Sequence, residues 1–198
     1  MKHVPKSTTK ECECLTFDEA LAQALVDNAE YDVEKWLYVP NTYCEYRYVL
    51  GTRGANPLIV VGVNPSTAAP DALDPTLQSA DRIAHFNSYD SFLMLNVYPQ
   101  RATDPNDMEK NRNSFLEKEN VEAFKYLLSL SPSKDVWCAW GNVVSKRGYL
   151  RDCVNDLVAA GDEAGANWLC AGEPLKSGNP HHPLYLKTST RLQPFCPN

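Results

Sequence analysis

The sequence predicts an α/β fold with three layers, α/β/α, around a central, mostly parallel sheet of four strands. Three observations lead there. Short apolar runs recur at residues 58–61, 91–97, 136–140 and 166–170, lengths suited to strands buried on both faces. Stretches with apolar residues at helical spacing separate these runs, and strands alternating with helices imply parallel pairing beneath a cover of helices. The first run ends in Gly62 and turns at Asn64 and Pro65 into Ser66 and Thr67, as a buried parallel strand does where it meets a ligand-facing loop.

Taken in order, the chain opens with MKHVPKSTTKE, which is polar and lacks the apolar core of a signal peptide. Residues 1–14 are expected to form a disordered tail, leaving 15–198 as a single domain in a cytoplasmic protein. A chain of 198 residues can bury one sizeable core without dividing. Thr16, with Glu19 three residues on, begins a capping box, and Leu21, Leu25 and Ala29 continue a helical face over 16–29. Residues 42–50, TYCEYRYVL, alternate aromatic and polar side chains like a half-buried strand at a sheet edge.

The turn at 51–57 leads into the buried run at 58–61. Asp74 then caps a helix with Pro75 in its first turn, continued by Leu77, Ala80 and Ala84. After the strand at 91–97 comes a polar loop holding Arg101, and residues 113–130 form a helix whose apolar face is Phe115, Val121, Phe124, Leu127 and Leu128. Pro132 closes it. A strand at 136–140, a helix over 141–160 and a strand at 166–170 precede a carboxyl segment rich in proline and glycine.

Composition narrows the function classes. With 43% hydrophobic and 22% charged residues the chain lies in the globular range, and no run approaches the roughly 20 apolar residues that span a bilayer. A net charge of -6 argues against coating nucleic acid with a general basic surface. It leaves room for a local cationic rim: Lys176, His181, His182, Lys187 and Arg191 lie close together, with no Asp or Glu from Pro174 onward. Seven scattered cysteines do not form a secreted disulfide framework. Cys12 and Cys14 have no companion pair for an iron-sulfur cluster, so no metal and no cofactor is assigned.

Four stretches carry the chemistry: GVNPST at 62–67, SFLMLNVYP at 91–99, VWCAWGN at 136–142 and NPHHPLYL at 179–186. In this order and spacing the set resembles the uracil-DNA glycosylase superfamily, over roughly residues 58–186. GVNPST followed by a DPT looks most like an uncharacterised bacterial and phage branch of it. The resemblance implies a uracil-DNA glycosylase-like fold and a monofunctional glycosylase whose partner is DNA with an extruded base. It implies neither a membrane nor an obligate protein partner.

Its residues map as follows. Asn96 falls where such enzymes read the base edge, a task for which a carboxamide can donate and accept at once. His182 falls where the departing base is supported, and a neutral imidazole donating to a developing oxyanion contributes several kcal/mol in a dry pocket. Asn64 stands where the most active uracil enzymes carry Asp, so it positions water without electrostatic help. Asp74 is the candidate for the missing carboxylate, against its plain reading as a helix cap. Pro65, Ser66 and Thr67 border the base, with Ser66 and Thr67 replacing an aromatic residue that blocks pyrimidine C5. The pocket then has room for a hydroxymethylated or glucosylated cytosine of phage DNA, and anti-phage defence is the expected role. Leu186 is the expected wedge, while His181, Lys187 and Arg101 are placed against DNA. The open alternatives are uracil or mismatch repair, a nucleotide or nucleoside hydrolase, and a nucleic-acid-binding protein without catalysis.

Overall fold

In the computed structural model, which describes residues 9, 12–26 and 30–197, one sheet organises the chain. Its strands are β1 (Trp36–Val39), β2 (Val49–Thr52), β3 (Pro57–Gly62), β4 (Ser91–Asn96), β5 (Asp135–Cys138), β6 (Asn167–Ala171) and β7 (Leu192–Pro194), in the order β1-β2-β4-β3-β5-β6-β7. The pairs β4-β3, β3-β5 and β5-β6 run parallel, and β1, β2 and β7 join antiparallel. The fold is therefore mixed α/β, with seven strands rather than the four expected.

The extra strands are short. WLYV of β1 is buried throughout, so it shows no alternation, and LQP of β7 is only three residues long. Nor do residues 42–50 form an edge strand. Tyr46 makes one isolated bridge to Gln100, regular pairing starts at Val49, and β2 lies between β1 and β4. The aromatic alternation has another cause: Tyr46 and Tyr48 pack edge to face with centroids 5.2 Å apart.

Alternate residues of β3 enter different cores. Ile59 and Val61 join the apolar cluster that receives residues of the helices α1 (Phe17–Ala24), α3 (Ser114–Leu130) and α4 (Tyr149–Ala164). Leu58 and Val60 join the cluster that receives α2 (Pro75–Phe86). Each such fully buried aliphatic side chain contributes about 1.5–3 kcal/mol.

The caps behave locally. Thr16 and Glu19 form the capping box of α1, Asp74 accepts from the Leu77 N–H at the start of α2, and Asn113 caps α3. Residues 27–29 of the expected first helix lie outside the described residues. Phe115 is 40% exposed, so it is not part of the apolar face of α3, which is formed by Leu116, Phe124, Leu127 and Leu128. The expected helix over 141–160 is divided: a 3-10 segment, Gly141–Lys146, precedes α4, and the break falls at Arg147, whose backbone is extended at φ -133° and ψ 134°.

Of the tail at 1–14, Thr9 is buried, and Cys12 and Cys14 pack against the core. Residues 1–8, 10 and 11 lie outside the described residues. Among the described residues no helix is long and apolar enough to cross a membrane.

Candidate active site

A cavity of about 480 Å³ opens where β3 and β4 end, bordered by the loop after β3, the start of α2 and the loop around His182. That volume is within the usual range for small-molecule sites, about 300–1,000 Å³. Asn64, Asn96, Asp74 and His182 all line it.

Asn96 is the last residue of β4, in register with Gly62 of β3. Its backbone carbonyl is held by the buried Asn120 side chain of α3 at 2.8 Å. Its side-chain Nδ2 is buried and has no hydrogen-bond partner among the described residues. Gly62 makes the space it occupies: a Cβ there would come within 2.8 Å of Asn96 Oδ1 and 2.5 Å of Met94 Cε. The glycine of the first motif thus seats Asn96 and Met94.

Asn64 is oriented by its own loop. Its Nδ2 donates to the carbonyls of Pro65 at 3.1 Å and Ala102 at 2.7 Å. Both donors are thereby used, and the side-chain oxygen is the group it can offer a ligand. Asp74 caps α2 through Oδ1, 3.0 Å from the Leu77 nitrogen, while also lining the cavity. The helix-cap and cavity readings of Asp74 hold together.

His182 Nδ1 accepts from the Leu184 backbone N–H at 3.3 Å. A neutral ring then carries its proton on Nε2. Burial lowers the His182 pKa from the usual histidine value, opposed by the charge of Asp74, which favours that neutral donor at pH 7. Gly141 explains the Trp-Gly motif: a Cβ would lie 3.2 Å from His182 Cβ, and its φ is left-handed. The bare backbone lets the late loop settle against the end of β5.

Pro65, Ser66 and Thr67 line the same cavity, and the Ser66 and Thr67 side chains are partly exposed. Ser66 Oγ is 3.2 Å from Thr103 Oγ1.

The residues assigned to DNA divide. Arg101 is only 1% exposed. Its guanidinium donates to the Ser66 carbonyl, to the Ala68 carbonyl at 3.3 Å and to the Tyr38 hydroxyl at 3.1 Å, and stacks over Tyr43. It braces the first loop from beneath, so the expected phosphate contact is corrected: the loop that carries it is polar in composition yet folded inward. Leu186, the expected wedge, is partly buried and packs against the apolar cluster shared with α2. Its neighbour Tyr185 is 92% exposed. His181 is half-buried and Lys187 exposed.

One cavity residue has no counterpart in the sequence reading. Arg47, fully buried, lines the cavity beside Gly62 and Asn96. It lay hidden as one polar position in an alternating segment, and no local signal distinguishes it. Among the described residues no group of three or more His, Cys, Asp or Glu side chains is placed to hold a metal.

Residues 47–184 match DUF1643, a family of proteins of unknown function. The chain belongs to that family. The DUF1643 span contains every residue lining the cavity, from Arg47 to Leu184, whereas α1, β1 and β7 lie outside it. Comparison with curated proteins and with solved structures found no match.

Proposed function

We propose that this chain is a monofunctional DNA glycosylase that extrudes a C5-modified pyrimidine, such as hydroxymethylated or glucosylated cytosine, and excises it to leave an abasic site. The observation that carries the reading is the meeting of Asn64, Asn96 and His182, distant along the chain, on one cavity. Helices on both faces of a sheet with a parallel centre fit a three-layer, uracil-DNA glycosylase-like arrangement, which adds support.

In this reading the extruded base enters the cavity at the carboxyl ends of β3 and β4. The Asn96 amide, with donors still available, meets the base edge. His182 donates from Nε2 to the base oxygen that gains negative charge as the glycosidic bond lengthens. The Asn64 oxygen orients water, and the Asp74 carboxylate offsets positive charge on the sugar. Water oxygen bonds to C1′, the bond to the base breaks with its electron pair on the base, and the water's proton passes to the released base or to solvent. Among the described residues that line the cavity there is no lysine, which favours water over an amine nucleophile. Ser66 and Thr67 leave space at C5, and Tyr185 is the side chain exposed for filling the vacated stack.

A preference for modified pyrimidines suits defence against phage with modified DNA; a preference for uracil would suit repair. The test is incubation with duplexes bearing uracil, a thymine mismatch, hydroxymethylcytosine or glucosylated hydroxymethylcytosine, scoring abasic sites. Sites in the last two are expected. Sites in uracil DNA alone would move the protein to repair, and no sites in any duplex would overturn the excision reading.

A further inference from the structure

The cavity is lined by a buried guanidinium that no salt bridge among the described residues holds. Arg47 is 0% exposed, and its Nη1 donates to the Ala68 carbonyl at 3.2 Å. Among the described residues its Nε and Nη2 have no hydrogen-bond partner, and no salt bridge includes it. Leaving a buried charged donor in this state is expensive.

The surroundings raise the cost. Arg101 donates to the same Ala68 carbonyl, so two guanidiniums converge on one loop. Burial pushes the Arg47 pKa down to about 9, Arg101 adds to that effect, and Asp74 opposes it. The group stays cationic at neutral pH. Arg101 differs in having the Ser66 carbonyl, the Tyr38 hydroxyl and the Tyr43 ring as further partners. Asn96 Nδ2 is a second buried, unpartnered donor on the same cavity.

Nε–H and one Nη2–H lie along one edge of the guanidinium, the fork that matches the paired oxygens of a carboxylate or phosphate. We propose that the cavity contains an oxyanion-recognition site, in which Arg47 binds two oxygens of a carboxylate or phosphate carried by the ligand and Asn96 donates beside it. The site does not depend on excision. The acid is either a substituent on a pyrimidine base or the phosphate of a nucleotide, and both present the same oxygens to the same fork.

Calorimetry on the full chain separates these sources with two matched pairs of probes. One pair is 5-carboxy-2′-deoxycytidine and its neutral 5-carboxamide; the other is deoxycytidine 5′-monophosphate and deoxycytidine. In at least one pair the acid is expected to bind about tenfold to a hundredfold more tightly than its neutral partner, and the pair showing the preference identifies where the acid sits. Arg47→Lys, which keeps charge without the fork, should lose most of that preference, and Arg47→Met all of it, with circular dichroism reporting whether each variant folds. The wild-type comparison needs neither variant. Equal affinities within both pairs, no binding by either acid, or an unchanged preference in folded Arg47→Met would overturn the oxyanion site. Acid binding without abasic sites in DNA would leave this site standing while the excision reading fails; excision without acid preference would do the reverse.

Discussion

Two groups of buried polar side chains, one around Glu109 and one around the cavity, differ in whether their hydrogen bonds close. At Glu109 the Thr9 backbone N–H and hydroxyl donate to Oε1, and the Tyr98 hydroxyl donates to Oε2 at 3.1 Å. That hydroxyl accepts from the Asn113 N–H at 2.7 Å, and the Glu109 N–H donates to Gln100 at 2.9 Å. These groups find their partners within the chain. In the cavity, Arg47 and Asn96 keep buried donors that no part of the described protein meets. Trp137 and Trp140 Nε1, away from the cavity, also lack partners among the described residues, so neither burial nor a missing partner marks function by itself; what distinguishes Arg47 and Asn96 is that their open donors belong to residues lining this cavity.

The contrast is tested most severely by removing one group from each network. His182→Ala should lower excision about 10²–10³-fold, the range for losing one donor to a developing oxyanion, and Asn96→Ala, which removes the amide that meets the base edge, should lower it about tenfold or more. Both proteins should remain folded by circular dichroism, and near-normal abasic-site yields would remove these residues from the reaction. Glu109→Ala should show the opposite pattern. It strands the Thr9 and Tyr98 donors and should lower the unfolding free energy by about 1–3 kcal/mol in urea titrations, a larger loss than Asn96→Ala produces, with excision per folded molecule unchanged.

Gly141→Ala joins the two behaviours. Holding alanine in a left-handed conformation costs on the order of 1–3 kcal/mol, and the new methyl would press on His182 at 3.2 Å. Stability and excision should therefore fall together, measured by urea titration and by single-turnover rates. The smallest effect concerns pH. Because burial lowers the His182 pKa, its neutral, donating form persists below the ordinary histidine value of about 6.5. As pH falls, the His182-dependent rate should stay level through that value and decline only below it. A decline already under way between about pH 8 and 7 would contradict the neutral-donor role.

Much of this architecture was legible locally. The caps at Thr16 and Asp74 were readable because a cap depends on residues within one helical turn. The runs that became the parallel strands were readable because continuous apolar side chains suit burial on both faces. The position of Asn96 followed from the end of such a run. Arg101 was misread because its loop is polar in composition, although the fold turns the guanidinium inward onto Ser66, Ala68 and Tyr38. That Leu186 packs inward while Tyr185 is exposed was not legible for a related reason: which of two neighbours faces solvent depends on packing against α2's side of the sheet.

Taken alone, the order of residues settled the four parallel strands, the helices that start at Thr16 and Asp74 and the loops at those strands' carboxyl ends, since short-range sterics, capping and apolar periodicity govern those choices; the short strands β1 and β7 were left to tertiary pairing. Only the folded chain decided that the Arg101 guanidinium, its Nε aside, would meet Ser66, Ala68 and Tyr38, while Arg47 meets Ala68 alone among hydrogen-bond acceptors of the described residues. Whether a buried donor finds an acceptor depends on what distant segments bring to it, and no local pattern around Arg47 specifies the carbonyls and side chains that surround it.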